Sequence, residues 1–197
     1  MTRPAKFSIA LGLLASLAVA FVVHSRATFP KDTTPEGSYA RIVLAVTRGT
    51  PGECFAYLET QAQWASFTIG DFRAKAAARI ATAYPEPERS ERLAAYKREA
   101  EAHGGPEIWS AVAQSRGWIA RLRKDLSGIK EVAISGERAT VETARGTRYT
   151  FRKRDNGIWG LTMFTAELLA EAEKAARDFE MVSRAADDYE RAAAPER

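Results

Sequence analysis

The sequence of 197 residues contains a single cysteine, Cys54, and only two histidines, His24 and His103. One cysteine excludes an intramolecular disulfide and a zinc site built from four cysteines. Histidine pairs at metal-binding spacing, a Gly-x-Ser-x-Gly turn and a glycine-rich phosphate-binding loop are also absent from the sequence. We therefore expect no metal and no cofactor, and the sequence carries no catalytic signature.

Charge is distributed unevenly, although the formal net charge is only +4. Residues 116–154 carry 11 basic and 4 acidic side chains, whereas residues 165–197 carry 5 basic and 9 acidic ones. We expect the acidic C-terminal helix to pack near the basic sheet within one molecule. Arginine exceeds lysine and alanine is abundant, a bias typical of GC-rich coding, so the basic pI does not indicate a nucleic-acid partner.

The N-terminus has the layout of a membrane-targeting segment. Residues 1–6 include Arg3 and Lys6, and residues 7–23 form an uncharged run rich in Leu, Ala and Val. Positive charges before an apolar run hold the N-terminus in the cytoplasm and direct translocation of the downstream chain. Residues 24–33 then form a linker, and everything after it is predicted to lie outside the cytoplasm.

Two fates of this segment remain open. The uncharged run is 17 residues long, which is at the short limit for a spanning helix and exceeds a usual signal-peptide core. Ala18-Val19-Ala20 and Ser25-Arg26-Ala27 both offer small-residue cleavage sites. We favour an uncleaved anchor, which predicts a single-pass inner-membrane protein with an extracytoplasmic domain. Cleavage would give an exported protein instead.

Residues 34–164 are predicted to form an α+β domain whose N-terminal half is helical. Thr34 before Pro35 is typical of a helix start, and Gly49 of a helix end. Gly117 is expected to kink or split a later helix. Further helical patterns cover about 50–58, 62–83, 88–102 and 106–127.

The pattern then changes to the alternation of β-strands. Four short segments between residues 132 and 163 alternate apolar and polar side chains. Hairpin-type turns at 135–137, 144–146 and 155–157 separate them, which predicts a four-stranded antiparallel meander. One face of this sheet is expected to be apolar. The other is expected to show a basic face of Arg148, Arg152 and Arg154.

A long C-terminal helix is predicted over residues 165–193, with Thr165 as its cap. Its apolar side chains follow heptad spacing. We expect this seam either to dock inside the molecule, as its many alanines favour, or to bind a partner or a second copy. The residues predicted to mediate such an association are Leu168, Phe179, Val182 and Tyr189.

Two blocks of sequence have a recognisable pattern. The first runs from Thr34-Pro35-Glu36 to Gly49 and continues with Phe55-Ala56-Tyr57-Leu58. The second comprises 134–141, 149–151 and 156–161. Together they resemble the opening helices and the hairpins of exported nuclear-transport-factor-two-like domains, which have a cystatin-like cone fold, within a group of short exported bacterial proteins. The helical stretch 60–128 between the blocks, and the long final helix, depart from the family pattern.

This resemblance implies a cone-shaped pocket. Some members of the family use it for isomerase-like or hydrolase-like catalysis, and many use it only for binding or assembly. The aromatic residues predicted to line such a pocket are Tyr57, Trp64, Trp109, Tyr149 and Trp159. Packing in an ordinary core explains their spacing equally well.

Three carboxylates are candidates for acid–base chemistry. Asp71 lies between Ile69 and Phe72, where burial would raise its pKa and suit it to act as a base. A position on the wet face of the helix is the alternative. Glu59 is a further candidate, and Asp155 is expected to belong to a turn.

Three functions are compatible with these features. We favour a membrane-tethered extracytoplasmic binding or scaffolding domain without catalytic activity. The alternatives are a small-molecule enzyme of the isomerase or hydrolase type that uses a pocket carboxylate, and an envelope assembly protein that self-associates through its C-terminal helix. The basic face of the third strand would suit an anionic ligand, lipid headgroups or an acidic partner, unless it is solvated or paired with the final helix.

Overall fold

The computed structural model describes residues 30–194, and the predicted segments 1–6 and 7–23 lie outside them. Contacts divide the chain into Met1–Lys31 and Asp32–Arg197, and every element below belongs to the second unit. This unit is α+β, as predicted. Its helices are α1 (Pro35–Arg48), a 3₁₀ helix (Pro51–Tyr57), α2 (Thr60–Ala83), α3 (Glu88–Ala100), α4 (Gly105–Ser115), α5 (Trp118–Asp125) and α6 (Thr165–Ala193).

A four-stranded antiparallel sheet follows α5, which confirms the predicted meander. The strands pair in chain order, each with its neighbour. Tyr149 and Phe151 point into the core, while Arg148, Thr150 and Arg152 are exposed on the outer face. The strands are β1 (Ile129–Ser135), β2 (Arg138–Thr143), β3 (Arg148–Lys153) and β4 (Trp159–Leu161).

Local signals explain several of the element boundaries. The Thr34 hydroxyl accepts a hydrogen bond from the Gly37 amide at 3.1 Å and so caps α1. Gly49 ends that helix in the left-handed conformation, with φ of 76°. Gly117, with φ of 70°, splits the predicted fifth helical segment into α4 and α5. Asp32 and Thr33, placed in the linker by the sequence, already hydrogen-bond to the folded unit.

The predicted role of Thr165 as a helix cap is wrong. Thr165 is the first helical residue of α6, and Phe164 occupies the cap position without a side-chain hydrogen bond. The Thr165 hydroxyl instead donates to the carboxylate of Glu59, which caps α2 through its backbone position. The hydroxyl therefore joins the start of α6 to the start of α2.

The main core is aromatic at its centre. Trp109 of α4 is fully buried, and its ring centroid lies 5.8 Å from that of Trp118 and 5.4 Å from that of Phe164. Its indole N–H donates to the Pro51 carbonyl at 2.9 Å. One side chain thus joins the 3₁₀ helix, α4, α5 and the start of α6.

The seam predicted on α6 packs against α2 of the same molecule. Leu168 belongs to the main core, and Val182 belongs to a second apolar cluster with Ile80 of α2. Phe179 and Tyr189 are half-buried against that second cluster. Intramolecular docking therefore occupies all four side chains. Self-association through them stays a prediction, and it would have to compete with this packing.

The acidic side of α6 pairs with arginines of other helices, so the expectation that it packs near the basic sheet is wrong. Asp178 contacts Arg73 of α2 at 2.7 Å, and Arg79 of α2 contacts both Asp187 and Glu190. The charge of α6 is thus compensated away from the strands. Two further ion pairs reach only the helical start of the basic segment: Arg116–Glu171 and Arg121–Glu167.

Candidate functional site

The aromatic residues predicted to line a pocket lie in different surroundings. Trp109 is at the centre of the core, and the indole of Trp159 is buried and donates to the Thr33 carbonyl at 3.2 Å. Tyr57 is half-buried, and burial raises the pKa of its hydroxyl. Trp64 is on the surface, with 67% of its area exposed. Core packing therefore explains the positions of Trp109 and Trp159.

Tyr149 is the fifth of these aromatics and lies beneath the sheet. Its ring centroid is 5.3 Å from that of Tyr39. Burial raises the pKa of its hydroxyl, which has no hydrogen-bond partner in the part of the chain that the structure describes. The hydroxyl of Tyr39, in contrast, donates to the Ser127 carbonyl at 2.7 Å.

Asp71 does not occupy the buried position on which its proposed role as a base depended. Its side chain is 55% exposed and lies 2.7 Å from Lys75, one helical turn further along α2. Such an exposed pair is an ordinary surface feature of helices. The structure thus places Asp71 on the solvent-exposed face of its helix.

Cys54 is also placed in the interior. Burial raises the pKa of its thiol to about 12, so the nucleophilic thiolate is scarce at neutral pH. In residues 30–194, no group of three or more histidine, cysteine, aspartate or glutamate side chains has an arrangement that fits a metal ion.

The three arginines predicted to form a basic face have separate partners. Arg148 contacts Glu142 of β2 at 3.0 Å. Arg154 follows the end of β3, and its guanidinium reaches away from the sheet to the Ala56 carbonyl and the Gln63 side chain, both at 2.9 Å. Arg148 and Arg152 therefore share the outer face, and Arg154 does not belong to the predicted row of three.

A different arginine, Arg138, lies next to Arg152 on the sheet. Arg138 of β2 lies directly opposite Arg152 of β3 in the register of the sheet. Arg138 was not among the predicted site residues, although the sequence carries a signal for it: a hairpin centred on Arg145 pairs position 138 with position 152. Alternation along both strands then puts the two side chains on the same outer face.

These two arginines line a cleft of about 470 Å³ between the outer face of the sheet and the start of α2. We call it the arginine cleft. Its floor and walls consist of residues of β2 and β3, the residue that follows β4, and two residues at the N-terminal end of α2. The lining residues are Glu59, Gln61, Arg138, Ala139, Thr140, Thr150, Phe151, Arg152 and Thr162.

Glu59 is the buried carboxylate of the cleft. Its side chain is only 7% exposed, and one carboxylate oxygen, Oε2, lies 3.9 Å from Nη1 of Arg152. The other oxygen, Oε1, accepts the hydrogen bond from the Thr165 hydroxyl. Of the three carboxylates that the sequence proposed for acid–base chemistry, this one is therefore buried and held in place.

The backbone beside Glu59 requires a glycine in β4. A Cβ at Gly160 would lie 2.5 Å from the Glu59 Cα and 2.8 Å from the Leu58 carbonyl oxygen. The close approach lets the Glu59 amide donate to the Leu161 carbonyl at 3.2 Å. Gly160 therefore seats the start of α2 against the edge of the sheet.

We expect the substitution Gly160→Ala to lower the free energy of unfolding by about 2 kcal/mol, because a methyl group here meets backbone atoms that cannot rotate away. Chemical denaturation of the purified full-length chain measures the change. Gly128→Ala is the matched control, since nothing lies within 4 Å of a Cβ at that position. Equal effects of the two substitutions would contradict the role of Gly160.

A second concave surface adjoins the arginine cleft. It is a groove of about 440 Å³ between α2 and α6, with Trp64, Phe72 and Leu169 in its walls. Trp64 and Leu169 are well exposed, and the lining is mostly apolar. This groove shares Gln61 with the arginine cleft.

No helix within residues 30–194 combines the length and the apolar character that crossing a membrane requires. The resemblance to nuclear-transport-factor-two-like domains stays a prediction. Comparison of the chain with family models, with curated proteins and with solved structures gave no match.

Proposed function

We propose that this protein is a membrane-tethered extracytoplasmic binding module without catalytic activity, and that its ligand occupies the arginine cleft. The tether is the apolar segment 7–23, which Arg3 and Lys6 orient. The folded unit begins at Asp32, so few residues separate the segment from the domain.

The observation that carries this proposal is the arginine cleft itself. It opens to solvent on the outer face of the sheet, and its size falls within the roughly 300–1,000 Å³ typical of small-molecule sites. Strands and the first turn of α2 position its polar side chains, so the site is preformed. Sites on regular elements hold their side chains more precisely than sites on loops.

The state of Glu59 favours binding over catalysis. A general base needs an oxygen that is free to reach the substrate proton. In the cleft, one oxygen of Glu59 is bonded to Thr165 and the other faces Arg152. The carboxylate therefore organises the wall of the site, and the charged groups left to contact a ligand are the guanidinium groups of Arg138 and Arg152.

Location is tested with reporter fusions at the C-terminus. We expect a bacterial alkaline phosphatase fusion to be active and a green fluorescent protein fusion to be dark, because both results require translocation. Deletion of residues 7–23 should reverse both. Carbonate extraction separates the two fates of the segment, since an uncleaved anchor stays in the membrane pellet. Active phosphatase after the deletion would contradict the assigned role of the segment.

Binding at the cleft is tested by filling it. Thr150 is exposed on β3, and its hydroxyl lies 2.6 Å from that of Thr162. We expect Thr150→Trp to abolish a small-molecule adduct that native mass spectrometry detects on the full-length chain extracted from membranes. Thr82→Trp is the control, because Thr82 is exposed on α2 and bonds only to its own helix. An adduct that persists in Thr150→Trp, or the absence of any adduct on the unmodified chain, would contradict the proposal.

A further inference from the structure

Two like charges face each other directly across the centre of the sheet. Arg138 and Arg152 form a cross-strand pair on the exposed face of β2 and β3. Like charges in this arrangement destabilise a sheet unless a neighbouring group compensates them. The position of the nearby carboxylates therefore decides what this pair can bind.

The compensation is incomplete. Glu142 pairs with Lys130 at 2.6 Å and with Arg148 at 3.0 Å, and these two hydrogen bonds lower the pKa of Glu142. Glu59 reaches Arg152 only at 3.9 Å. Among the residues that the structure describes, no carboxylate forms an ion pair with Arg138. The arginine cleft thus has two guanidinium groups and one buried carboxylate, which leaves one positive charge over.

The neutral side chains of the cleft add donors beside this charge. The hydroxyl of Thr140 and the amide of Gln61 line the same space. The hydroxyls of Thr150 and Thr162 line it too, but they bond to each other and to the Thr150 carbonyl. Guanidinium groups bind carboxylate and phosphate oxygens through two parallel hydrogen bonds, and hydroxyls complete such sites. The set of groups matches an oxyanion and gives little apolar surface to a neutral ligand.

We infer that the arginine cleft binds a small molecule through a carboxylate or phosphate group, which Arg138 and Arg152 hold together. This inference rests on the proposed binding function and names the chemistry of its ligand. The bound oxyanion supplies the negative charge that the cross-strand arginine pair lacks. Glu59 keeps the Arg152 side chain at the wall of the cleft and so positions one half of the pair.

The test uses the full-length chain in a non-ionic detergent and isothermal titration calorimetry with two probes, inorganic phosphate and succinate. Sodium chloride keeps the ionic strength constant, because non-specific attraction falls with salt. We expect saturable binding of at least one probe, and the stronger of the two identifies the oxyanion class. Arg138→Gln and Arg152→Gln should each weaken that binding by about tenfold or more, the loss of one charge-assisted contact.

Two further variants sharpen the result. Arg184→Gln removes the same charge from α6, where Arg184 is 76% exposed and pairs with Glu180. This substitution should change the affinity less than twofold, a negligible free-energy difference. Arg138→Lys keeps the charge but loses the planar fork, so its affinity should fall between those of the unmodified chain and Arg138→Gln. Thermal melts confirm that each variant is folded.

The inference is overturned if neither probe binds saturably, or if Arg184→Gln weakens binding as much as Arg138→Gln. Its failure differs from failure of the proposed function. If the adduct is lost in Thr150→Trp while neither probe binds, the cleft binds a ligand of other chemistry. If the C-terminal reporters place the domain in the cytoplasm, the tethered function fails whatever the probes do.

Discussion

Replacing Arg73 with methionine is expected to lower the free energy of unfolding by about 3 kcal/mol, because it leaves two partly buried carboxylates without their counter-ion. The Arg73 side chain is 9% exposed and contacts Glu99 of α3 at 3.0 Å and Asp178 of α6 at 2.7 Å. Its guanidinium also lies 4.9 Å from the ring centroid of Tyr96. One side chain thus ties α2 to α3 and to α6.

The balance of forces at Arg73 supports this size of effect. Burial disfavours the charged guanidinium, but the hydrogen bond to Asp178 and the charges of Asp178 and Glu99 outweigh it and raise the pKa of Arg73. The arginine therefore stays charged, and its removal costs both ion pairs at once.

Denaturation of the full-length chain, followed by circular dichroism, measures the loss for Arg73→Met. Arg184→Met is the matched control and should cost less than about 0.5 kcal/mol, since its pair with Glu180 is exposed. The triple substitution Arg73→Met, Glu99→Gln and Asp178→Asn should recover part of the stability by removing the stranded charges. A loss for Arg73→Met no greater than that of the control would refute the assigned role.

The substitution Trp109→Ala is expected to lower the free energy of unfolding by about 4 kcal/mol. The side chain is fully buried, so its removal leaves a cavity beside the stacked rings of Trp118 and Phe164. The substitution also leaves the Pro51 carbonyl without the indole N–H that donates to it. The 3₁₀ helix should therefore loosen along with the core.

Two comparisons separate these contributions. Trp109→Phe keeps most of the ring but not the N–H, so it should cost about 1–2 kcal/mol for the unpaired carbonyl. Trp64→Ala is the control of the same chemistry on the surface, where 67% of the side chain is exposed, and should cost less than about 0.5 kcal/mol. If Trp64→Ala proved as costly as Trp109→Ala, the placement of the two tryptophans would be wrong.

The arginine cleft shows how far the sequence leads towards a site. Arg152 was predicted to be exposed on the sheet, and the turn at 144–146 implied its register. Arg138 was missed because a charged residue at the start of a strand has no distinctive pattern of its own. Glu59 was one of three carboxylate candidates, and only burial distinguished it from Asp71.

The features that could be predicted from the sequence are local. Thr34 caps the start of α1 through a hydrogen bond, and Gly49 ends the helix in the left-handed conformation. Both features depend only on neighbouring positions in the chain. Alternation and turn residues likewise predicted the four strands and their order, because a hairpin pairs segments that are adjacent in the chain. The heptad spacing on α6 correctly showed which side chains share a face.

The surface that each of these faces meets became known only from the folded chain. Spacing shows that Val182 and Leu168 point the same way but not that α2 covers them, since a second copy would satisfy the same pattern. The same holds for charge: in the sequence, Arg73 is indistinguishable from a surface arginine, and only the packing of α3 and α6 encloses it. Long-range contacts depend on how distant segments pack, and no local pattern encodes that arrangement.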